Sequence, residues 1–324
     1  MSTDGREGAT EMGESAQAAK AGARIELARV SRWYGNVVAV NDVSFSVGPG
    51  VTGLLGPNGA GKSTLLHMTA GMLSASSGTV RVAGEPTWQH PELFRRVGLV
   101  PERESVYPYL DGRAFVLLNA RLQGVTRPAE ATRRALAMVD LLDVADRRIG
   151  TYSKGMRQRI KMAAALVHDP PVLLLDEPFN GMDPRQRLHM FELLRGMAAE
   201  GRTILLSSHI LEEVERVADS VLVIYAGRLA ASGDFRSIRR LMTDRPHVFR
   251  VRSSDDRRLG AALLAEASVF GAELGSGGLL LRTSEFERFT HRVAALAREE
   301  GISLFELAPT DDSLESVFGY LVNR

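Results

Sequence analysis

The 324-residue sequence predicts an α/β fold with a helical insertion, followed by a smaller α+β unit. Three observations carry that expectation. From Arg24 to about Asp234, short runs of Val, Leu and Ile alternate with helix-like segments, as in parallel sheets buried on both faces. Between about residues 105 and 170 the strands stop and three helix-like segments follow one another. After Ser237 the order becomes strand, helix, strand, strand, helix, strand, which is that of a ferredoxin-like unit.

The elements can be taken in turn. "VVAVNDVSFSV" and "GTVRVAG" alternate apolar with polar or small residues, so they read as half-buried strands. "VTGLLG", "RVGLVP", "PVLLLDE", "TILLSSH" and "SVLVIYAG" are apolar throughout and suit strands covered on both faces. The inserted helices are "RAFVLLNARLQG", "AEATRRALAMVDLLDVADR" and "KGMRQRIKMAAALVHD". "DPRQRLHMFELLRGMAAEG" offers Asp183 as N-cap, Pro184 at the first helical position and Gly201 beyond the end. In the last unit, Ser284 and Glu287 suggest a capping box for the second helix, and "DDSLESVFGYLV" a final helix. The expected division is a disordered tail over 1–22, an α/β domain over 23–236 and an accessory domain over 237–324.

Composition narrows the function. The net charge is +1, so no global basic field marks a nucleic-acid binder, and no nucleic-acid partner is expected. With no cysteine there is neither a disulfide nor a thiolate metal site. The seven histidines include no pair at metal-ligand spacing. No stretch approaches the ~18 apolar residues that span a bilayer, and the first 22 residues lack the basic start and apolar core of a signal peptide.

The chemistry begins at "GPNGAGKST", Gly56, Pro57, Asn58, Gly59, Ala60, Gly61, Lys62, Ser63 and Thr64. This fits G-x-x-x-x-G-K-[ST] between a strand and a helix, as the motif requires. Glycines let backbone N–H groups turn around phosphate oxygens, and a helix N-terminus adds positive potential. Lys62 neutralises the β and γ phosphates in this reading, and Ser63 offers a hydroxyl to Mg²⁺. "PPVLLLDEP" ends a buried strand in Asp176 and Glu177. Successive strand residues point apart: Asp176 is expected to hold Mg²⁺, and Glu177 to serve as general base to an attacking water. His209 closes the next strand and is expected to reach the γ-phosphate and that water. Lys62, Glu177 and His209 form the expected catalytic set.

With these residues in place, the stretch from about 24 to 234 resembles the ATP-binding subunit of ABC transporters. The resemblance implies a P-loop NTPase core of ABC type, ATP and Mg²⁺ as cofactors, and ATP hydrolysis coupled to transport. Tyr34 in "RWYGN" matches the aromatic that stacks on adenine. "YSKGMRQR" stands at the signature usually written LSGGQ-x-QR, so Ser153, Lys154, Gly155 and Met156 join the expected nucleotide contacts. "FNGMD" matches the loop after the catalytic acid, which adds Asp183. Two places depart from the pattern: Glu102 stands where the family usually has Gln, as a further candidate ligand for Mg²⁺, and Tyr152, Lys154 and Met156 replace Leu, Gly and Gln. "SKGM" with "VPE" is similar to the export branch, and "LESVFGYL" (Leu314 to Leu321) to the end of that branch's accessory domain.

The resemblance implies that two such chains pair head to tail, each signature covering the other's nucleotide. It also implies a separate membrane permease near Tyr107, Pro108 and Tyr109, hence a cytoplasmic place on the inner face of the membrane. Arg157, Arg159 and Lys161 are expected further along the signature helix, partly as structure and partly as a solvated face. Two other classes fit the residues less well. An ABC-type ATPase acting on ribosomes or DNA usually has two such domains or a long coiled coil, and this chain has neither. A P-loop kinase or GTPase leaves the signature, Glu177 and His209 unexplained, and no N-K-x-D motif is present.

Overall fold

A computed structural model describes residues 24–234, 247–275 and 277–309. The expected tail over 1–22 and the motif Leu314 to Leu321 lie outside the described residues. Two compact units divide between Ser232 and Gly233.

The first unit opens with β1 (Ile25–Tyr34) and β2 (Val37–Val47), an antiparallel pair. Ile25, Leu27, Val40, Val43 and Val47 are buried while their neighbours alternate outward, the period of a half-buried sheet. The chain then enters β3 (Gly50–Leu55), which leads into α1 (Lys62–Thr69). Next come β4 (Ser77–Val82), the short β5 (Glu85–Pro86) and β6 (Val97–Val100). β1 also pairs antiparallel with β4, giving a sheet of order β2-β1-β4-β5.

The inserted helices follow: α2 (Gly112–Leu122), α3 (Pro128–Met138) and α4 (Lys154–Leu166). Each start has a local cause. The Asp111 carboxylate accepts from Ala114 N–H at 2.6 Å, α3 begins at proline, and Ser153 Oγ accepts from Met156 N–H at 3.2 Å. Phe115, Val116, Ala135, Leu136, Ile160 and Ala163 are buried on these helices.

The chain returns through β7 (Val172–Asp176), α5 (Pro184–Ala199), β8 (Thr203–Ser207), α6 (Leu211–Val217), β9 (Ser220–Tyr225) and β10 (Arg228–Gly233). The second sheet has the order β10-β9-β3-β8-β7-β6. β3 runs parallel to β8 and β9, and β7 parallel to β6 and β8. Every residue of β7 and β8 is buried, as a parallel sheet covered on both faces requires. Packing is close at Gly53, where a Cβ would stand 2.2 Å from Val214 Cγ1 of α6. α5 starts as expected, with the Asp183 carboxylate accepting from Gln186 N–H at 2.8 Å and Pro184 following.

The second unit contains β11 (His247–Ser253), α7 (Asp256–Leu264), β12 (Val269–Gly275), β13 (Gly278–Thr283), α8 (Phe286–Glu299) and β14 (Leu304–Pro309). Its sheet order is β12-β13-β11-β14, antiparallel at each pairing. Phe249, Val251, Leu259, Leu279, Leu281, Phe289 and Val293 fill its core. The Phe249 and Phe289 rings lie 4.8 Å apart. One expected cap differs: α8 has Glu285, not Ser284, at its N-cap, and Thr283 Oγ1 accepts from Glu285 N–H at 3.2 Å. A threonine hydroxyl two residues back satisfies that donor locally, so the helix starts one residue later.

Candidate functional site

Four segments meet at a cleft of about 340 Å³. The loop before α1 brings Asn58, Gly59, Gly61, Lys62, Ser63 and Thr64. The residue after β6 and Pro101 brings Glu102, the end of β7 brings Asp176 and Glu177, and His209 follows β8; Ala39 of β2 lines one side. The phosphate loop, Glu102, Asp176, Glu177 and His209 stand at or just after the carboxyl ends of parallel strands, where open α/β sheets form their ligand crevices. A smaller groove of about 200 Å³, around Phe191 and Ile210, contains none of the expected site residues.

The loop geometry depends on glycine. Gly61 caps α1 with φ of 105°, and a Cβ there would stand 2.5 Å from the Ala39 carbonyl oxygen. A side chain would have both a strained backbone and a clash. Lys62 folds back, its Nζ donating to the carbonyls of Gly56 at 2.7 Å and Pro57 at 3.2 Å. Ala60 is buried behind the loop. Burial pulls the Lys62 ammonium below its ordinary value, while Glu177, Asp176 and Glu102 pull it up.

The two acids are fixed by β8. Ser207 Oγ donates to Asp176 Oδ1 at 2.5 Å. The Glu177 N–H donates to Ser207 Oγ at 3.1 Å and to the Ser207 carbonyl at 3.2 Å. Glu177 itself has φ of 51°, a left-handed conformation that costs a non-glycine residue and turns the chain sharply out of the strand. Its carboxylate Oε2 lies 2.8 Å from His209 Nδ1. Burial pushes the Glu177 carboxyl above its ordinary value, opposed by that histidine contact. Ser208 shapes the next turn, donating to Glu213 Oε2 at 2.7 Å and accepting from Ile210 N–H at 3.0 Å.

Ser63, Asp176 and Glu102 place hard oxygen donors in one cleft. Among the described residues no three or more His, Asp or Glu side chains converge to cage a metal unaided. That donor set fits Mg²⁺, which is usually held by one or two carboxylates together with substrate phosphates.

Nine expected residues do not line the cleft: Gly56, Pro57 and Ala60 of the phosphate loop itself, and Tyr34, Ser153, Lys154, Gly155, Met156 and Asp183. Tyr34 is 47% exposed, with the Arg32 guanidinium 4.8 Å from its ring centroid. Ser153 and Lys154 are exposed at the start of α4. This turn packs on the 179–183 loop: an added Cβ at Gly181 would meet Lys154 Cγ at 2.6 Å, and one at Gly155 would meet the Gly181 carbonyl oxygen at 2.8 Å. Tyr152 is buried and donates to the Val144 carbonyl at 2.8 Å.

Of the structure and solvated face expected along the rest of the basic stretch, Arg159 and Lys161 are structure. Arg159 and Lys161 are buried. Arg159 donates to the carbonyls of Val139 at 3.0 Å and Asp140 at 2.8 Å. Lys161 donates to those of Pro101 at 2.7 Å, Glu102 at 3.3 Å and Arg103 at 3.3 Å. Burial lowers the Lys161 ammonium to about 8, so it is still largely a cation at neutral pH. Arg157 donates to Glu104 at 2.8 Å. Gln158 donates from Nε2 to the Glu177 carbonyl at 3.2 Å. Sequence reasoning missed Ser207, Gln158 and Lys161 as parts of this arrangement. Only Ser207 left a signal, a polar residue directly before "SH" at the end of an apolar strand.

Known proteins resemble this chain in sequence and in fold. The family model described as ABC transporter matches residues 40–180. The Nod factor export ATP-binding protein I of Burkholderia orbicola is 42% identical over 217 residues, 65% of this chain and 71% of that protein. Its namesake in Bradyrhizobium diazoefficiens is 41% identical over 213 residues, 64% of this chain and 70% of that protein. A solved ATP-binding subunit of an ABC transporter is 32% identical, with a TM-score of 0.62 over 67% of this chain and 92% of that one. The dimeric structure of a bacterial ABC transporter cassette shares the fold at 22% identity, with a TM-score of 0.61. The phosphate loop, the paired acids and the histidine thus stand in a cassette of known kind: the chain belongs to the ABC transporter family as an ATP-binding subunit, an ATPase.

Proposed function

We propose that this chain is the motor of an exporter, two copies of it closing on two ATP molecules beneath a separate membrane permease. One observation carries the reading. The Lys62 loop, Glu102, Asp176, Glu177 and His209 share one cleft, while the Ser153–Gly155 turn lies outside it. The chain therefore has a phosphate cradle and a base, and a second anion-binding turn with nothing of its own to hold.

In this reading the loop N–H groups and Lys62 hold the β and γ phosphates. Mg²⁺, held by Ser63, Asp176 and Glu102 with the phosphates, would neutralise charge developing on the γ-phosphoryl group. Glu177 takes a proton from the water that attacks the γ-phosphorus as the bond to ADP breaks. Its raised pKa suits a base, and His209 holds its carboxylate from the other side. Tyr34 stacks on adenine. In the dimer, Ser153, Lys154, Gly155 and Met156 of one copy cover the γ-phosphate bound by the other, and Asp183 stands beside that contact. A helix N-terminus aimed at an anion is the same device as the phosphate loop. Loss of phosphate removes the contacts that distinguish closed from open.

Three further points support the wider assembly. Among the described residues no helix is long and apolar enough to cross a membrane, so the path would come from another chain. Tyr107 and Tyr109 are 47% and 70% exposed, with ring centroids 5.8 Å apart and Tyr107 set on Phe115. They form an aromatic surface on the helical insertion for a permease to grip. Both relatives named above are export ATP-binding proteins. The second unit, with its ferredoxin-like order, acts as an accessory domain. The test is cross-linking from Tyr107 and Tyr109 in cells, with membrane and ribosome fractions analysed separately. Capture of an integral membrane protein supports the motor; recovery with ribosomes alone replaces it with a translation-associated ATPase.

A further inference from the structure

α4 grips the loop that follows β6 at two places. Arg157 binds the Glu104 carboxylate, and Lys161 binds three successive backbone carbonyls, those of Pro101, Glu102 and Arg103. Positions 157 and 161 are one turn apart and share a helix face. Burying an ammonium is costly unless its donors are satisfied, and three carbonyls satisfy all three donors of Lys161. Reciprocally, the loop backbone has no strand of its own at this point, since β6 ends at Val100. Its carbonyls are gathered by this cation instead. The loop is not generic: its middle residue, Glu102, lines the cleft. At its other end α4 carries the Ser153–Gly155 turn.

We propose that Lys161 is a positioning residue, gathering the 101–103 backbone so that the Glu102 carboxylate is held in the cleft and the loop moves together with the Ser153 end of α4. It acts through Glu102 and touches no nucleotide. Gln158 does the matching task for the other acid, through the Glu177 carbonyl. Helix α4 thereby fixes the backbone of both acids from behind while presenting its N-terminus to the second copy. The inference rests on the reading of the cleft as the ATP site.

The test uses the full chain with Lys161→Met, which keeps the stem and removes the donors, and Lys161→Gln, which keeps one donor group. With Mg²⁺ and ATP, Lys161→Met lowers kcat about tenfold with KM for ATP within about threefold of wild type, the scale of lost outer-shell support. Lys161→Gln falls between. In a Glu102→Ala background the same substitution costs less than about threefold more, because coupled residues are not additive. Amide exchange over 102–105 accelerates in Lys161→Met without any turnover being measured. Wild-type kcat and exchange in Lys161→Met overturn the proposal. So does an equal loss in the Glu102→Ala background. Failure of both variants to fold overturns it in favour of a purely structural lysine. A wild-type chain that binds no ATP overturns the reading of the cleft itself.

Discussion

Under the proposed reading, the cleft and the Ser153 turn are two anion sites built by the same means and left in opposite states of completion. In both, a glycine and a lysine stand at the start of a helix: Gly61 caps α1 and Lys62 is its first residue, while Ser153 caps α4 and Lys154 and Gly155 are its first two. The cleft carries its own counter-charges: burial lowers the Lys62 ammonium below its ordinary value, and Glu177, Asp176 and Glu102 oppose that shift. In the Ser153 turn, Ser153 and Lys154 are exposed and Gly155 is buried, with the Lys154 stem lying over Gly181 rather than over a phosphate cradle. A site with its own acids can hold and cleave; a site with donors alone can only clamp what another chain holds. That difference makes one chain half of a catalytic unit under the proposed reading.

The largest effect should come from removing the base. Glu177→Gln is expected to lower ATP turnover by about 10²–10⁴-fold while ATP affinity stays near wild type. With hydrolysis blocked, ATP should drive the chain into a dimer, seen by light scattering during size exclusion. Turnover at the wild-type rate would remove Glu177 as base. A monomer with ATP bound would break the pairing of the two sites.

The next variant separates the two sites directly. Ser153→Arg in the Glu177→Gln background should weaken ATP-driven dimerisation by at least about tenfold, the cost of spoiling a buried polar contact across an interface. ATP binding by the monomer should be unchanged, because Ser153 does not line the cleft. Loss of the cap costs about 1 kcal/mol of stability, so the variant should still fold. Equal weakening of monomer binding would place the turn over its own chain's nucleotide.

A smaller effect tests how the basic stretch divides. Arg159→Met should cost about 1–3 kcal/mol of unfolding free energy, since it strands the Val139 carbonyl in a buried position. ATP affinity should not change. Denaturant titration with and without ATP reads both quantities. A shift in affinity with no loss of stability would return Arg159 to the ligand side.

These variants also show where sequence legibility stopped. The cleft could be read because its parts are local. Gly56 to Thr64 sit in one motif, Asp176 and Glu177 are adjacent, and each follows an apolar run that places it at a strand end. The strands were readable for the same reason: "VLLLD" and "TILLS" carry their burial in their own composition. Arg159 and Lys161 were not. Their partners are backbone carbonyls about 20 and about 60 residues away, and any sequence presents a carbonyl there. A helix with Arg157, Arg159 and Lys161 looks solvated until its neighbours are in place. Ser207 was missed because its task, holding Asp176 and the Glu177 N–H together, depends on the parallel register of β7 with β8 that sets Asp176 opposite it.

The finest test asks how far burial governs Glu177. Burial raises the Glu177 carboxyl above the value of 4.5 it would have in the unfolded chain. A group raised in this way contributes stability that is complete below 4.5. The contribution is lost as pH rises through the higher folded value, because the buried carboxylate must then carry its charge. Glutamine carries none at any pH. The melting temperature of Glu177→Gln should therefore lie near that of wild type at low pH and move above it as pH rises to neutrality. The same shift should put the acid limb of wild-type turnover above that of an ordinary carboxylate, since the base works only when ionised. A melting difference that does not change between pH 4 and pH 8 would mean that water and His209 already solvate Glu177. The cleft would then resemble the Ser153 turn in exposure and differ from it only in carrying acids.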